Sequence, residues 1–133
     1  MTYGCRATEL DFGYLFPEGG AVQVHYTHLV SNAGFVPFES KYVLDYPRHS
    51  FAVSGHLSLP LRITLGGRLD YRYRVDGRNY WLLAAKALKE VHDLRLFLEA
   101  SNLLGARYEE IRNVNMPGRW IQGGVEFDLH WGK

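Results

Sequence analysis

The stretch LRITLGGRLDYRYRV, Leu61 to Val75, alternates without a break. One parity carries Leu61, Ile63, Leu65, Gly67, Leu69, Tyr71, Tyr73 and Val75, and the other carries Arg62, Thr64, Gly66, Arg68, Asp70, Arg72 and Arg74. Period two is the side-chain period of a strand, so these residues predict a β-strand with one apolar and one charged face. The alternation does not say which face meets water. A soluble barrel and a membrane barrel carry the same pattern turned inside out.

Working outward, the same pattern recurs. IQGGVEFDLHW, Ile121 to Trp131, places Ile121, Val125, Phe127, Leu129 and Trp131 on one parity and Gln122, Glu126, Asp128 and His130 on the other. Shorter alternations occur in TELDFGYLF (8–16), AVQVHYTHLV (21–30) and SFAVSGHLSL (50–59). DLRLFLEAS (93–101) sets Leu94, Leu96 and Leu98 against Arg95 and Glu99. YWLLAAKALKEV (80–91) is rich in Leu and Ala, which favour helix, yet Trp81, Leu83, Ala85 and Ala87 share one parity, so it reads as a strand. The expectation is an all-β chain: an antiparallel up-and-down meander of about seven strands with no helix of normal length.

The connections add a second layer. Those at Pro17 to Gly20, at Pro60 and at Glu90 to Asp93 are short, while those at Ser31 to His49, Val75 to Asn79 and Asn102 to Arg119 are longer. Short turns on one side and long loops on the other are the habit of outer-membrane barrels. On the apolar parity, Tyr71, Tyr73 and Trp81 fall toward the long-loop side and Tyr14, Phe16 and Trp131 toward the short-turn side, with Leu, Val and Ile between them. Rings with an apolar body and a polar tip favour headgroup level, so these six form a candidate pair of aromatic girdles. Leu65, Leu69, Leu96 and Val125 are the candidate lipid-facing residues between them.

Composition removes other classes. Fifteen Lys and Arg against fourteen Asp and Glu give a formal charge of +1, so no electrostatic argument points to nucleic acid. A single Cys5 rules out an intrachain disulfide and a cysteine-rich zinc site. No apolar run approaches the roughly 18 residues of a spanning helix, and MTYGCRATELDF lacks the apolar core of a signal peptide. His25 and His28 point to opposite faces of a strand, and His49, His56, His92 and His130 have no close partners in sequence, so no metal site is expected. Phosphate cradle, nucleophile elbow and paired-carboxylate motifs are absent from the sequence; neither a cofactor nor an enzymatic activity is expected.

SNLLGARYEE (101–110) followed by MPGRWIQGGVEFDL (116–129) resembles the C-terminal signature of TonB-dependent outer-membrane receptors. The shared features are an Asn-Leu pair closing the penultimate strand, a Tyr-Glu shortly after, and Pro-Gly-Arg opening the last strand. YPRHSFAVSGHLSL (46–59) is similar to the Pro-Arg-His opening of an earlier strand of the same barrels. The resemblance implies a barrel of about 22 strands around an N-terminal plug. It further implies a bacterial outer-membrane receptor that takes up iron-siderophores, cobalamin or similar scarce nutrients with energy delivered by TonB through the plug. Residues 1–133 then read as a C-terminal segment of the barrel, with the plug and the other strands lying outside this chain. It looks like the last third of such a barrel.

Within that reading, Arg107, Tyr108, Glu109, Glu110 and Arg112 lie in the loop between the last two strands and are candidates for contact with a small-molecule ligand. Asn102, Gly105, Pro117 and Gly118 are expected to shape the loop itself. Two other readings stay open: a soluble lipocalin-like barrel whose apolar parity surrounds a small hydrophobic ligand, and a small structural outer-membrane barrel.

Overall fold

The computed structural model describes residues 4–32, 47–111 and 114–127. Arg112 and Trp131 lie outside the described residues, as does the connection 33–46. Described residues form strands and turns with no helix. Seven strands make one sheet in the order β1 (Gly4–Phe16), β2 (Gly20–Asn32), β3 (Pro47–Leu59), β4 (Ile63–Arg74), β5 (Asn79–Val91), β6 (Leu94–Ser101) and β9 (Trp120–Phe127). Between β6 and β9, β7 (Glu109–Ile111) and β8 (Val114–Asn115) make a separate small hairpin. Every pairing is antiparallel. The meander is therefore the expected one, and the Leu- and Ala-rich β5 is a strand because β4 and β6 pair with it on both sides. Among the described residues the sheet does not close: β1 pairs with β2 alone and β9 with β6 alone.

Apart from a one-residue shift between Pro47 and His49 at the start of β3, register carries one parity into the next. Tyr14, Val22, Gly55, Gly67, Ala85, Ala100 and Ile121 form one continuous cross-strand row. The apolar parities of all seven strands thus join into a single face. The same row measures the stagger. Tyr14 and Val22 stand two residues from Phe16 and Gly20, at the short-turn ends of their strands. Gly55 and Gly67 stand four from Leu59 and Ile63, and Ala85 and Ala100 stand six from Val91 and Leu94. The row climbs two residues per hairpin, or one per strand. With about 3.3 Å of rise per residue and about 4.8 Å between strands, this inclines the strands by about 35° to the normal of the line joining the short turns.

The burial is inverted relative to a soluble domain. The only hydrophobic residues buried among those described are Ala52 and Tyr80, and both sit on the polar parity. Leu10, Phe12, Leu57, Leu98 and Ile121, all on the apolar parity, are exposed. Leu65, Leu96 and Val125 are exposed as well, while Leu69 is half-buried between Val53 and Leu83.

One connection departs from the sequence reading. Val75 to Asn79, expected as a longer loop, is a four-residue turn at 75–78, scarcely longer than those at 17–19 and 60–62. Gly77 takes a φ of 83°, its N–H donates to the Arg74 carbonyl at 3.1 Å, and the Asp76 carboxylate accepts from the Arg78 N–H at 3.0 Å. These local bonds close the hairpin at once. Its polar composition is that of a loop, yet short local bonds make it a tight turn.

Candidate functional site

The polar face is laced by charge pairs, most of them across strands and one, Arg68 with Asp70, along β4. His25 contacts Asp11 across β1 and β2, and the Thr27 hydroxyl lies 2.8 Å from the second nitrogen of that imidazole. Arg68 holds Asp70 with two bonds of 2.7 and 2.8 Å. Farther along, Arg95 meets Glu126 at 3.3 Å and Lys86 approaches Glu99 at 4.0 Å. Opposite charges directly across or diagonal on one face are the usual stabilising unit of a sheet.

The long connection from Asn102 to Arg119 folds over this face rather than standing away from it. Asn102 starts the fold-back: it is buried, adopts a φ of 50°, donates from its amide to the Ala106 carbonyl at 2.9 Å and accepts from the Ala106 N–H at 2.9 Å. The same amide reaches the Pro117 carbonyl at 3.3 Å, so one side chain ties both legs of the loop. Asn tolerates this left-handed backbone because its short amide satisfies local backbone groups. Gly105 follows at φ 66°, and a Cβ there would meet the Arg119 guanidinium at 3.0 Å. Asn102, Gly105 and Pro117 thus shape the loop as expected. Gly118 has open space around it, and no contact requires glycine there.

Two arginines of β4 anchor the far part. The guanidinium of Arg74, only 4% exposed, donates to the Glu109 carbonyl at 2.9 Å and toward the Glu110 carbonyl at 3.4 Å. Arg72 meets the Glu110 carboxylate at 3.2 Å, and Arg78 meets that of Glu109 at 3.6 Å. The Tyr108 ring stacks on Tyr80 with centroids 4.8 Å apart. Burial, with the Glu110 and Tyr80 side chains adding to it against Arg72, pushes the Tyr108 phenol above its ordinary pKa. Of the five loop candidates, Tyr108, Glu109 and Glu110 are brought together and hold the loop to the sheet. Arg107 is exposed at the rim, and Arg112 is outside the described residues.

The fold-back leaves a cleft of about 800 Å³ between the 75–78 turn and the loop, lined by Arg74, Arg78, Tyr80, Arg107, Tyr108 and Glu109 among others. A smaller cavity of about 200 Å³ lies beneath, between Asp70, Leu82, Asn102, Tyr108, Pro117 and Trp120. Guanidinium, carboxylate and phenol groups in this mixture suit recognition by hydrogen bonds and stacking. Arg72, Arg74 and Tyr80 were not singled out from sequence. The signal was available only as the polar parity of β4 and β5, which does not say which residues a distant loop will cover.

On the opposite face, aromatic residues gather toward the long-loop ends of β2 to β5. Tyr26, Phe51, Tyr71 and Trp81 form a cross-strand row, and Tyr71 and Trp81 rings are 4.6 Å apart. His28, His49 and Tyr73 form the next row, in which the two imidazoles stack at 4.5 Å and Tyr26 hydrogen-bonds His49 at 2.9 Å. Register creates the His28–His49 pair, so no spacing within the sequence reveals it. Among the described residues no three His, Cys, Asp or Glu side chains converge as a metal site would require. Tyr14 and Phe16 pack edge to face at the other end of the sheet, with centroids 5.1 Å apart.

Comparison of the chain with protein-family models, curated proteins and solved structures finds no match.

Proposed function

We propose that this chain is a segment of the wall of a transmembrane β-barrel in a bacterial outer membrane, of the TonB-dependent receptor type. The observation that carries the reading is the continuous apolar face of seven strands, exposed from Leu10 and Phe12 on β1 to Ile121 and Phe127 on β9. Contiguous apolar surface on this scale marks contact with membrane or partner. A lipocalin-like arrangement would enclose that face. Here the only buried hydrophobic residues described lie on the polar face, and the loop folds over that side.

The dimensions agree. A stagger of one residue per strand gives the roughly 35° inclination at which membrane strands lie. Phe51, Tyr71 and His28 stand eight residues from the short-turn ends of their strands, and Tyr73 and Trp81 stand ten. At that inclination these are heights of about 22 and 27 Å, matching an apolar band about 25 Å tall with a girdle at its upper margin. Tyr14 and Phe16 occupy the lower margin. Lys89, on the apolar parity two residues from Val91, is close enough to the short-turn level to extend its ammonium into the headgroups.

The receptor type rests on the ordered motifs Pro47-Arg48-His49, Asn102-Leu103, Tyr108-Glu109 and Pro117-Gly118-Arg119. In this reading the polar face lines a lumen that holds a plug, and the cleft beside Tyr80 and Tyr108 opens toward an arriving iron-siderophore, cobalamin or comparable nutrient. The chain supplies wall and loop, and energised uptake belongs to the whole receptor with its plug and TonB. Two experiments test this. Refolding from urea should yield strand structure with lipid or detergent and aggregate in plain buffer; a stable folded monomer in plain buffer overturns the membrane reading. In a receptor-deficient outer-membrane strain, the 133-residue chain alone should give no TonB-dependent accumulation of siderophore iron or cobalamin, and joining it to a plug and completing strands should restore it.

A further inference from the structure

The free edge of β1 has a chemistry of its own. Its hydrogen-bonding side away from β2 is unpaired among the described residues, and the strand is extended over thirteen residues without proline or bulge. On the polar parity this edge presents Glu9 and Asp11, both exposed. Asp11 has His25 beside it, and a hollow opens next to it, floored by Gly13, Gln23, Ala52 and Ser54. Gly13 leaves that floor open, since a Cβ there would meet nothing closer than 3.9 Å. The hollow, about 420 Å³ and also lined by Arg68, whose charge Asp70 holds, has room for the aliphatic stem of a Lys or Arg.

We infer that the β1 edge receives an antiparallel strand that carries Lys or Arg opposite Glu9 and Asp11 and apolar residues opposite Leu10, Phe12 and Tyr14. This rests on the reading of the chain as an open wall and names the chemistry of the strand that continues it. A second copy of the chain is a poor occupant for two reasons. β1 and β9 are both odd members of an antiparallel meander, so they run in the same direction. Copies arranged side by side in one membrane orientation would have to join these edges in parallel, breaking the pattern of the sheet. An inverted copy could pair β1 with β1, but it would bring Glu9 and Asp11 against their own kind, and like charges facing across strands repel.

The test uses the full chain refolded in detergent micelles and fluorescently labelled strand peptides in which Val alternates with Lys, with Glu or with Ser. Because the chain carries a formal net charge of +1, its overall charge does not attract the Lys peptide. Binding read by anisotropy at low salt should favour the Lys peptide over the Glu peptide on the order of tenfold, two cross-strand pairs changing sign. The preference should shrink at high salt. It should also collapse in the near-isosteric chain carrying Glu9→Gln and Asp11→Asn. Equal binding of the Lys and Glu peptides, no binding of either, or a preference that survives the double substitution would each overturn the proposal. If that variant does not refold, the salt dependence in the unaltered chain decides. Solubility of the chain without detergent reports on the wall reading separately, so the two failures are distinguishable.

Discussion

Leu98 on β6 and Asp70 on β4 both lie in the body of one sheet, on opposite faces. Leu98 is 56% exposed, whereas the Asp70 carboxylate, clasped by Arg68, is 14% exposed. In a soluble domain the order is reversed. The difference shows where the folding free energy must come from. Burying a Leu side chain is worth about 1.5–3 kcal/mol, and this chain withholds that term at residue after residue of its apolar face. The polar face, by contrast, makes many of its own contacts, through charge pairs, the buried Arg74 and the loop that Asn102 folds back. One face is held together by its own polar contacts, and the other is left exposed.

The sharpest way to break this contrast is to place a charge on each face in turn. Leu98 stands four residues from Leu94, about 11 Å above the short-turn level and close to the middle of the proposed apolar band. Leu98→Arg should therefore cost about 2–4 kcal/mol of folding stability in bilayers. Gln23→Arg, on the polar face, should cost well under about 1 kcal/mol. Leu65 stands only two residues from Ile63, so Leu65→Arg should fall between them, at up to about 1 kcal/mol near the interface. Equal losses at Leu98 and Gln23, measured by urea titration in lipid, would dissolve the distinction between faces.

The hold of the loop on the polar face can be tested at its anchors. Arg74→Met removes the donor to the Glu109 carbonyl and should release the loop by about 2–3 kcal/mol, seen as faster amide hydrogen exchange over residues 106–111 with the sheet unchanged. Asn102→Ala should cost less, about 1–2 kcal/mol, and increase proteolytic cleavage between Leu103 and Met116. The smallest effect concerns Tyr108. Its phenol is held above the ordinary value of about 10, so its contribution is complete below that pH and is lost as pH rises through the folded value. Loop protection should decline on that alkaline limb, and Tyr108→Phe should flatten the decline.

Much of the sheet was legible because period two is a local signal that pairing then preserves. The parity read over Leu61 to Val75 survives from Ile63 to Arg74 as the two faces of β4, its two ends going into turns, and the same parities meet across all seven strands. Even β5 obeyed it, its Leu and Ala content overridden by pairing on both sides. The 75–78 turn was misjudged because Asp76, Gly77 and Arg78 look like loop residues whether a turn is tight or open. The site was legible only in part. Tyr108, Glu109 and Glu110 stood out as charged and aromatic loop residues, but their partners Arg72, Arg74 and Tyr80 lie 28 to 38 residues away in sequence. Such contacts depend on how a loop falls across a sheet, which alternation does not encode. The same limit hid the stacked imidazoles of His28 and His49.

Trp81 and Trp120 offer the most direct test of the central claim. They are almost equally exposed, at 44% and 40%, but sit on the apolar and polar faces respectively. Each should be examined alone in the refolded chain, the other tryptophans replaced by Phe, in bilayers brominated near the top of the acyl chains. Strong quenching of Trp81 fluorescence with little quenching of Trp120 is the predicted result. Equal quenching of the two, or stronger quenching of Trp120, would contradict the assignment of the apolar face to lipid and the polar face to the lumen.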